Sequence, residues 1–147
     1  MRHLFFTAAL FCSVSILSAQ IPSALNKLQG TWLCKDCDQR TWSAWNRTTE
    51  GILVNRTFTL IGQDTVEVSR LEIFVRPNKQ VALRQIQPGK LPETFRLTRV
   101  ERYEILWENE NLISFQPFLR MAFYGSKRLV FKDTEGEMDF RRKRMII

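Results

Sequence analysis

The stretch "GILVNRTFTLIGQDTVEVSRLEIFV", residues 51–75, decides the fold, because two runs of alternating side chains flank a turn-forming Gly-Gln-Asp sequence. An extended chain points successive side chains to opposite faces, so alternation of apolar and polar residues indicates a strand. In the first run, Val54 and Phe58 share the apolar face. In the second run the apolar phase shifts, which predicts a β-bulge near Ser69 and Arg70. The stretch therefore predicts two strands joined by a turn.

The same alternation continues through most of the chain. Turn signals at residues 77–78, 88–89 and 125–126 separate further short runs of alternating side chains. One short helix is predicted within residues 21–30, with Pro22 at its start. Eight to ten short strands without a second helix predict an antiparallel barrel or sandwich.

The first nineteen residues read as a secretory signal peptide and not as part of the fold. Arg2 supplies a positive start, residues 4–17 form a short apolar core, and small residues end at Ala19. The apolar run is too short for a membrane anchor, and no other segment reaches the length of a spanning helix. Gln20 stands where a lipoprotein would carry a cysteine. We therefore expect a periplasmic or secreted protein whose single domain spans residues 20–147.

Cleavage of the signal peptide would leave Cys34 and Cys37 as the remaining cysteines and would remove the single histidine. A thioredoxin-type centre places its first thiol where a strand meets a helix, but the residues after Cys37 alternate like a strand. A zinc site needs four ligands, and this chain could add only carboxylates to the pair. Two exported cysteines three residues apart are expected to close on each other. We expect a structural disulfide in the first turn; a redox centre and a metal site are the alternatives.

The charge distribution and the absence of catalytic motifs in the sequence argue against nucleic-acid binding and against enzymatic activity. The net charge is +7, and the basic run at residues 141–144 invites a nucleic-acid interpretation, but an export signal directs the chain away from nucleic acid. An edge strand protected by charge explains the same run. Without a histidine a Ser-His-Asp triad cannot form, and the sequence has no Gly-rich phosphate loop. The sequence predicts no enzymatic activity, no cofactor and no nucleic-acid partner.

Polar side chains interrupt several apolar strand faces and are candidate ligand-binding residues. Arg56 lies between Val54 and Phe58 in strand phase, so the alternation points it inward. A buried charge needs a partner, because an uncompensated interior charge is strongly destabilising. The partner could be an internal carboxylate or a bound polar ligand; alternatively, these side chains face solvent. The candidates are Arg56, Gln85, Tyr103, Arg120 and Tyr124, together with Trp42 as an aromatic that would supply contact area.

The segment "LQGTW", residues 28–32, resembles the start of lipocalins and their relatives in the calycin superfamily, in which a short helix runs into a Gly-x-Trp strand. In those barrels the tryptophan closes one end, and an arginine from the last strand lies across its ring. The resemblance implies that Trp32 and Arg142 are the barrel-closing pair here. A guanidinium over an indole face is a cation–π contact worth roughly 0.5–2 kcal/mol.

More specifically, residues 28–145 resemble a family of bacterial exported domains described as lipocalin-like and of unknown function. The matching segments include "LVNRT" and "LWENENLISFQPFLRMAFY". Members often carry a His-Asp pair where this chain has Leu112, Ile113 and Ser114, and a carboxylate where it has Arg40. No catalytic role is therefore carried over from the family.

The resemblance implies an all-β fold, namely an antiparallel up-and-down lipocalin-like β-barrel of 8–10 strands with a short N-terminal helix. We expect a non-enzymatic binding protein that holds a small apolar or amphipathic ligand in the barrel. Such a barrel has space for one small ligand or none, depending on how many large side chains point inward. One alternative is a filled barrel that acts as a structural or interaction module of the cell envelope. A second is a thiol–disulfide active protein that uses the CxxC pair.

Overall fold

The computed structural model describes residues 20–143, which form a short 3-10 helix and ten strands. The 3-10 helix spans Ser23–Leu28. The strands are β1 (Gly30–Cys34), β2 (Thr41–Arg47), β3 (Leu53–Ile61), β4 (Asp64–Val75), β5 (Val81–Ile86), β6 (Glu93–Val100), β7 (Glu104–Asn109), β8 (Phe118–Tyr124), β9 (Arg128–Lys132) and β10 (Glu137–Arg142). The predicted signal peptide lies outside the described residues.

The ten strands close into one antiparallel barrel. Each strand pairs with the next along the chain, and β1 also pairs with β10. The predicted all-β, up-and-down barrel is confirmed. The predicted short helix is present as a 3-10 helix, which ends at Leu28 with Gln29 as its cap. Among the described residues, no helix is long and apolar enough to cross a membrane.

The two ends of the barrel differ because consecutive antiparallel strands place alternate hairpin loops at opposite ends. The 3-10 helix precedes β1, so it lies at the end that also carries the β2–β3, β4–β5, β6–β7 and β8–β9 loops. We call this the closed end. The other end carries the β1–β2, β3–β4, β5–β6, β7–β8 and β9–β10 loops, and we call it the mouth.

Apolar side chains fill much of the barrel interior, and those at the closed end pack against the 3-10 helix. Leu25 and Leu28 of the 3-10 helix are fully buried and belong to the same hydrophobic cluster as Trp32. The Nε1 atom of Trp32 donates a hydrogen bond to the carbonyl of Leu28 over 2.8 Å. The fully buried core residues with the largest side chains include Trp32, Trp45, Trp107, Phe95, Phe140, Leu53, Ile73 and Leu83.

Strand β3 turns its polar face inward, opposite to the arrangement that its apolar alternation suggests. Asn55 is 1% exposed, and its partner in the register of β2 is the buried Trp45. Phe58 lies on the outer face, where its ring stacks on Trp42 with 5.8 Å between ring centroids. Alternation identified the strand but did not identify the face that points inside, because apolar side chains of the outer face, such as Phe58, are half-buried against their neighbours while the polar inner face is buried. The predicted inward orientation of Arg56 is therefore wrong.

The predicted β-bulge is confirmed, with its position moved by one residue. Thr57 pairs with Ser69, whereas the next residue, Phe58, pairs with Glu67. Val68 is therefore the extra residue of β4. A bulge bends the strand and increases its twist, which helps a long strand to follow the curved wall of a barrel.

Candidate functional site

The two cysteines of the β1–β2 loop form a disulfide, with 5.8 Å between the Cα atoms of Cys34 and Cys37. The expected disulfide is confirmed. Asp36 lies between them, and its carboxylate accepts a hydrogen bond from the backbone N–H of Asp139 over 3.1 Å. These three side chains are close enough together to suggest a metal site, but bridged sulfurs are not thiolate ligands. The geometry indicates a structural disulfide cross-link beside β10.

One of the six candidate ligand-binding residues, Gln85, points into the barrel. Its neighbours in the register are the buried Leu71 of β4 and the inward-facing Glu93 of β6. The Oε1 atom of Gln85 is buried and has no hydrogen-bond partner among residues 20–143. The predicted inward orientation is correct at this position.

Trp42 and Arg56 lie together on the outer wall instead. Trp42 lines an outer recess of about 540 Å³, and its ring stacks on Phe58. The guanidinium of Arg56 lies 5.4 Å from the centre of the Phe58 ring, and its Nε donates to Glu67 over 3.0 Å. The hydrogen bond from Arg56 lowers the pKa of the Glu67 carboxyl below its usual value. Arg56 therefore has an external carboxylate partner and needs no interior ligand.

Tyr103, Tyr124 and Arg120 meet on the outer surface toward the closed end. The two tyrosines line one recess of about 400 Å³ and are 54% and 56% exposed. Glu104 lines the same recess and lies 3.4 Å from Nε of Arg120. The structure thus brings three of the predicted residues together, but outside the barrel.

Polar side chains that were not among the predicted site residues line the inner faces of β2 and β3. We call this set the polar ladder; it comprises Thr41, Ser43, Asn55, Thr57 and Thr59. The hydroxyls of Thr41 and Thr59 share a hydrogen bond of 2.9 Å. Asn55 donates through Nδ2 to Ser43, and its Oδ1 accepts from Thr57 over 3.0 Å. Polar residues at every second position of both strands are the sequence signal for this set, but the same alternation equally fits apolar residues on the inner face.

Gln85 and Asn55 of the polar ladder belong to the same row of register partners across the sheet. Trp45, Asn55, Leu71, Gln85 and Glu93 are successive partners across β2 to β6. We call these five residues the inner row. At its far end, a carboxylate oxygen of Glu93 accepts hydrogen bonds from the side chains of Asn109 and Ser114.

Two buried indole nitrogens lack partners inside this barrel. Trp45 is 1% exposed and Trp107 is fully buried, yet neither Nε1 atom donates a hydrogen bond within the described residues. Trp45 belongs to β2 and Trp107 to β7, which are five strands apart in a closed ring of ten. The two donors therefore come from opposite walls. A buried polar atom without a hydrogen-bond partner lowers the stability of the fold by roughly 1–3 kcal/mol. Several such atoms in one interior therefore indicate a site at which a bound molecule would supply the missing partners.

Comparison of the sequence with known protein families and with curated proteins found no match. The barrel and the chemistry of its interior are therefore the features that indicate a function.

Proposed function

We propose that this protein is an exported, non-enzymatic barrel of the lipocalin-like type that binds a small amphipathic molecule in its interior. The observation that carries the proposal is a group of three buried polar atoms on inner faces that have no partner among the described residues: Nε1 of Trp45, Nε1 of Trp107 and Oε1 of Gln85. Nε of Arg120 and Nε of Arg142 also have no hydrogen-bond partner there, but the first lies on the outer wall near Glu104 and the second against Trp32 at the closed end. A binding site of this kind is mostly apolar, with a few polar groups that orient the ligand. The Gly-x-Trp start and the contact between Arg142 and Trp32 support the calycin assignment.

The free groups define the chemistry of the ligand. The two indole N–H groups can only donate, so they fit a hydroxyl or carbonyl oxygen. The carbonyl oxygen of Gln85 can only accept, so it fits a ligand hydroxyl or N–H group. Two charged side chains that face inward, Glu93 and Arg142, have polar partners. Nε of Arg142 is also buried without a partner among the described residues, but it lies at the closed end against Trp32 and not beside the polar ladder. We therefore favour a neutral, oxygen-bearing ligand over an organic acid.

The packing limits the size and the position of the ligand. Large apolar side chains fill the inner faces of β8 to β10, among them Met121, Phe131 and Phe140, whereas the polar ladder and the inner row line β2 to β6. The ligand therefore has its polar group against these residues and its apolar part against Leu71 and neighbouring core side chains. Entry would be from the mouth.

A substitution at Gln85 tests the proposal, because its effects on stability and on binding are expected to have opposite signs. In Gln85→Leu the unpaired acceptor is gone, so the ligand-free protein should become more stable by about 1 kcal/mol. The same change should weaken ligand binding about tenfold, because the ligand loses one hydrogen bond. Gln63→Leu, in the exposed turn between β3 and β4, is the matched control and should change neither quantity.

Binding is measured with the neutral fluorophore N-phenyl-1-naphthylamine, and native mass spectrometry of the purified protein looks for a co-purified molecule. A native mass spectrum without any bound molecule, together with no fluorescence change on titration, would overturn the proposal. Weaker binding in Gln85→Leu and unchanged binding in Gln63→Leu would support it.

A filled barrel that serves as an interaction module is a second candidate. A separate observation favours it, since the mouth carries large apolar side chains in contact with solvent.

A further inference from the structure

Four large apolar side chains project from two loops at the mouth. The β7–β8 loop, residues 110–117, exposes Leu112 by 95%, Ile113 by 88% and Phe115 by 98%. The β5–β6 loop, residues 87–92, exposes Leu91 by 89%. Isolated exposed apolar residues are ordinary, but a group of this size concentrated at one end of a molecule marks an interaction site.

Hydrogen bonds within the β7–β8 loop hold it in this shape. The side chain of Asn109 accepts from the backbone N–H of Asn111 over 2.8 Å, and the side chain of Asn111 accepts from Ile113 over 3.3 Å. The Ser114 hydroxyl donates to Glu93 and accepts from the backbone N–H of Gln116 over 3.1 Å. The loop is thus tied to the barrel wall while its apolar side chains remain outside.

The two loops are neighbours, because the strands that connect them pair with each other. β6 follows one loop and pairs with β7, which precedes the other. The backbone N–H of Glu110 donates to the carbonyl of Thr94 over 2.9 Å at the base of both loops. Leu91 and the apolar residues of the β7–β8 loop therefore belong to one surface, which we call the mouth patch.

The charges at this surface fit an uncharged or zwitterionic partner. Lys90 and Glu110 are the ionisable residues of the two loops, and Glu110 forms an ion pair of 2.6 Å with Arg76. The adjacent β9–β10 loop is acidic, with Asp133 and Glu135. Basic side chains concentrate instead at the closed end, among them Lys27, Lys79, Arg102 and Lys127.

We infer that the mouth patch docks into the interfacial region of a phospholipid bilayer. Each of its side chains is almost free of protein neighbours, so a rigid partner would need a separate pocket for each, whereas lipid chains adapt to any such shape. An apolar group carried on an ordered loop gains free energy by entering the bilayer interface, and the gain grows with the apolar area buried. The low charge of the loops keeps the cost of desolvation small. This inference does not depend on the presence of a ligand in the barrel.

A reporter variant tests whether the mouth patch enters lipid. Phe115→Trp places an indole at the most exposed of these positions, and Tyr103→Trp places one at the opposite end as the control. On addition of phosphatidylcholine vesicles, the fluorescence of Phe115→Trp should shift to the blue and should be quenched by brominated lipid. Tyr103→Trp should show neither change beyond that of the native protein.

A loss variant completes the test. In Leu112→Ser/Ile113→Ser/Phe115→Ser, co-sedimentation with phosphatidylcholine vesicles should fall by about tenfold or more, because three apolar anchors are lost. Native binding should change little between low and high salt, since the contact is apolar. Unchanged thermal unfolding of the variant would show that the fold is intact.

Several outcomes would overturn the inference. One is a lack of vesicle binding by the native protein together with no spectral shift in Phe115→Trp. Another is binding that requires anionic lipid and disappears at high salt, which would assign docking to the basic closed end. A third is a concentration-dependent dimer that the triple substitution abolishes while vesicle binding is absent, which would mean that a second copy covers the mouth patch.

Discussion

The guanidinium of Arg142 lies 4.5 Å from the centre of the Trp32 ring and joins the last strand of the barrel to the first. The two residues are direct partners in the register of β1 and β10. Arg142 also donates through Nη2 to the carbonyl of Lys27, which is part of the 3-10 helix. One side chain therefore connects the strand seam, the buried indole and the helix that covers the closed end.

This relationship predicts that Arg142→Leu lowers the free energy of unfolding by about 1–3 kcal/mol, because a cation–π contact and a charged hydrogen bond are lost together. Arg141→Leu is the matched control, since Arg141 faces outward and forms a long ion pair of 3.7 Å with Asp139. Its effect should stay below about 1 kcal/mol. Urea unfolding measures both variants, and equal losses would contradict the closing role of Arg142.

The disulfide should contribute modestly to stability. Cys34 and Cys37 enclose a very short loop, which restrains few conformations of the unfolded chain. We therefore expect Cys34→Ala/Cys37→Ala to lower the free energy of unfolding by about 1–2 kcal/mol while leaving the barrel intact. Thermal unfolding with and without reductant measures the effect.

Thiol labelling after unfolding in the absence of reductant checks the bridge itself. It should find no free thiol in the native protein, and labelling of both cysteines would show that no bridge forms. A loss of ligand binding that follows reduction without any loss of fold would instead favour a redox role for the pair.

The pair of Arg56 and Glu67 predicts a pH-dependent contribution to stability. The hydrogen bond from Arg56 lowers the pKa of Glu67 in the folded protein, so the unfolded chain binds a proton more readily. The contribution is therefore present above the unfolded pKa of about 4.3 and is lost as the pH falls through the folded pKa.

Comparison with Glu67→Gln isolates this contribution. At neutral pH the native protein should be more stable than the variant by less than about 1 kcal/mol, because the side chain of Arg56 is half exposed. At about pH 3 the difference should shrink toward zero. Glu50→Gln, at an exposed position, is the control. A difference that grows on acidification would contradict the assignment.

The sequence predicted the strands and the closed end well, because both depend on local signals. Alternation and turn residues gave the barrel, and the Gly-x-Trp start drew attention to Trp32 and Arg142, which the structure places in contact. The bulge in β4 was visible as a shift in the apolar phase, and it lies at Val68. Predicting these features does not require knowing which strands lie across the barrel from one another.

The interior was not predictable in the same way. Apolar residues alternate on β3, but they face outward onto Trp42, while Asn55 faces inward. The assumption that the apolar face lies inside fails when outer side chains cover each other and inner polar groups satisfy each other. Gln85 was found because its neighbours on β5 are apolar on the inner face. No sequence pattern points to Trp107 as a polar contact, because whether its buried nitrogen finds a partner depends on strands distant in sequence.

A pair of substitutions on β3 tests whether the polar face of this strand, and not its apolar face, points into the barrel. Asn55→Ala should lower the free energy of unfolding by about 2–4 kcal/mol, because Ser43 and Thr57 lose a hydrogen-bond partner inside the barrel. Val54→Ala, one residue away on the outer wall, should cost only about 1 kcal/mol, because its side chain is half-buried. Urea unfolding at neutral pH measures both. If Val54→Ala proved the more damaging, the apolar face of β3 would lie inside, and the polar ladder could not line the ligand site.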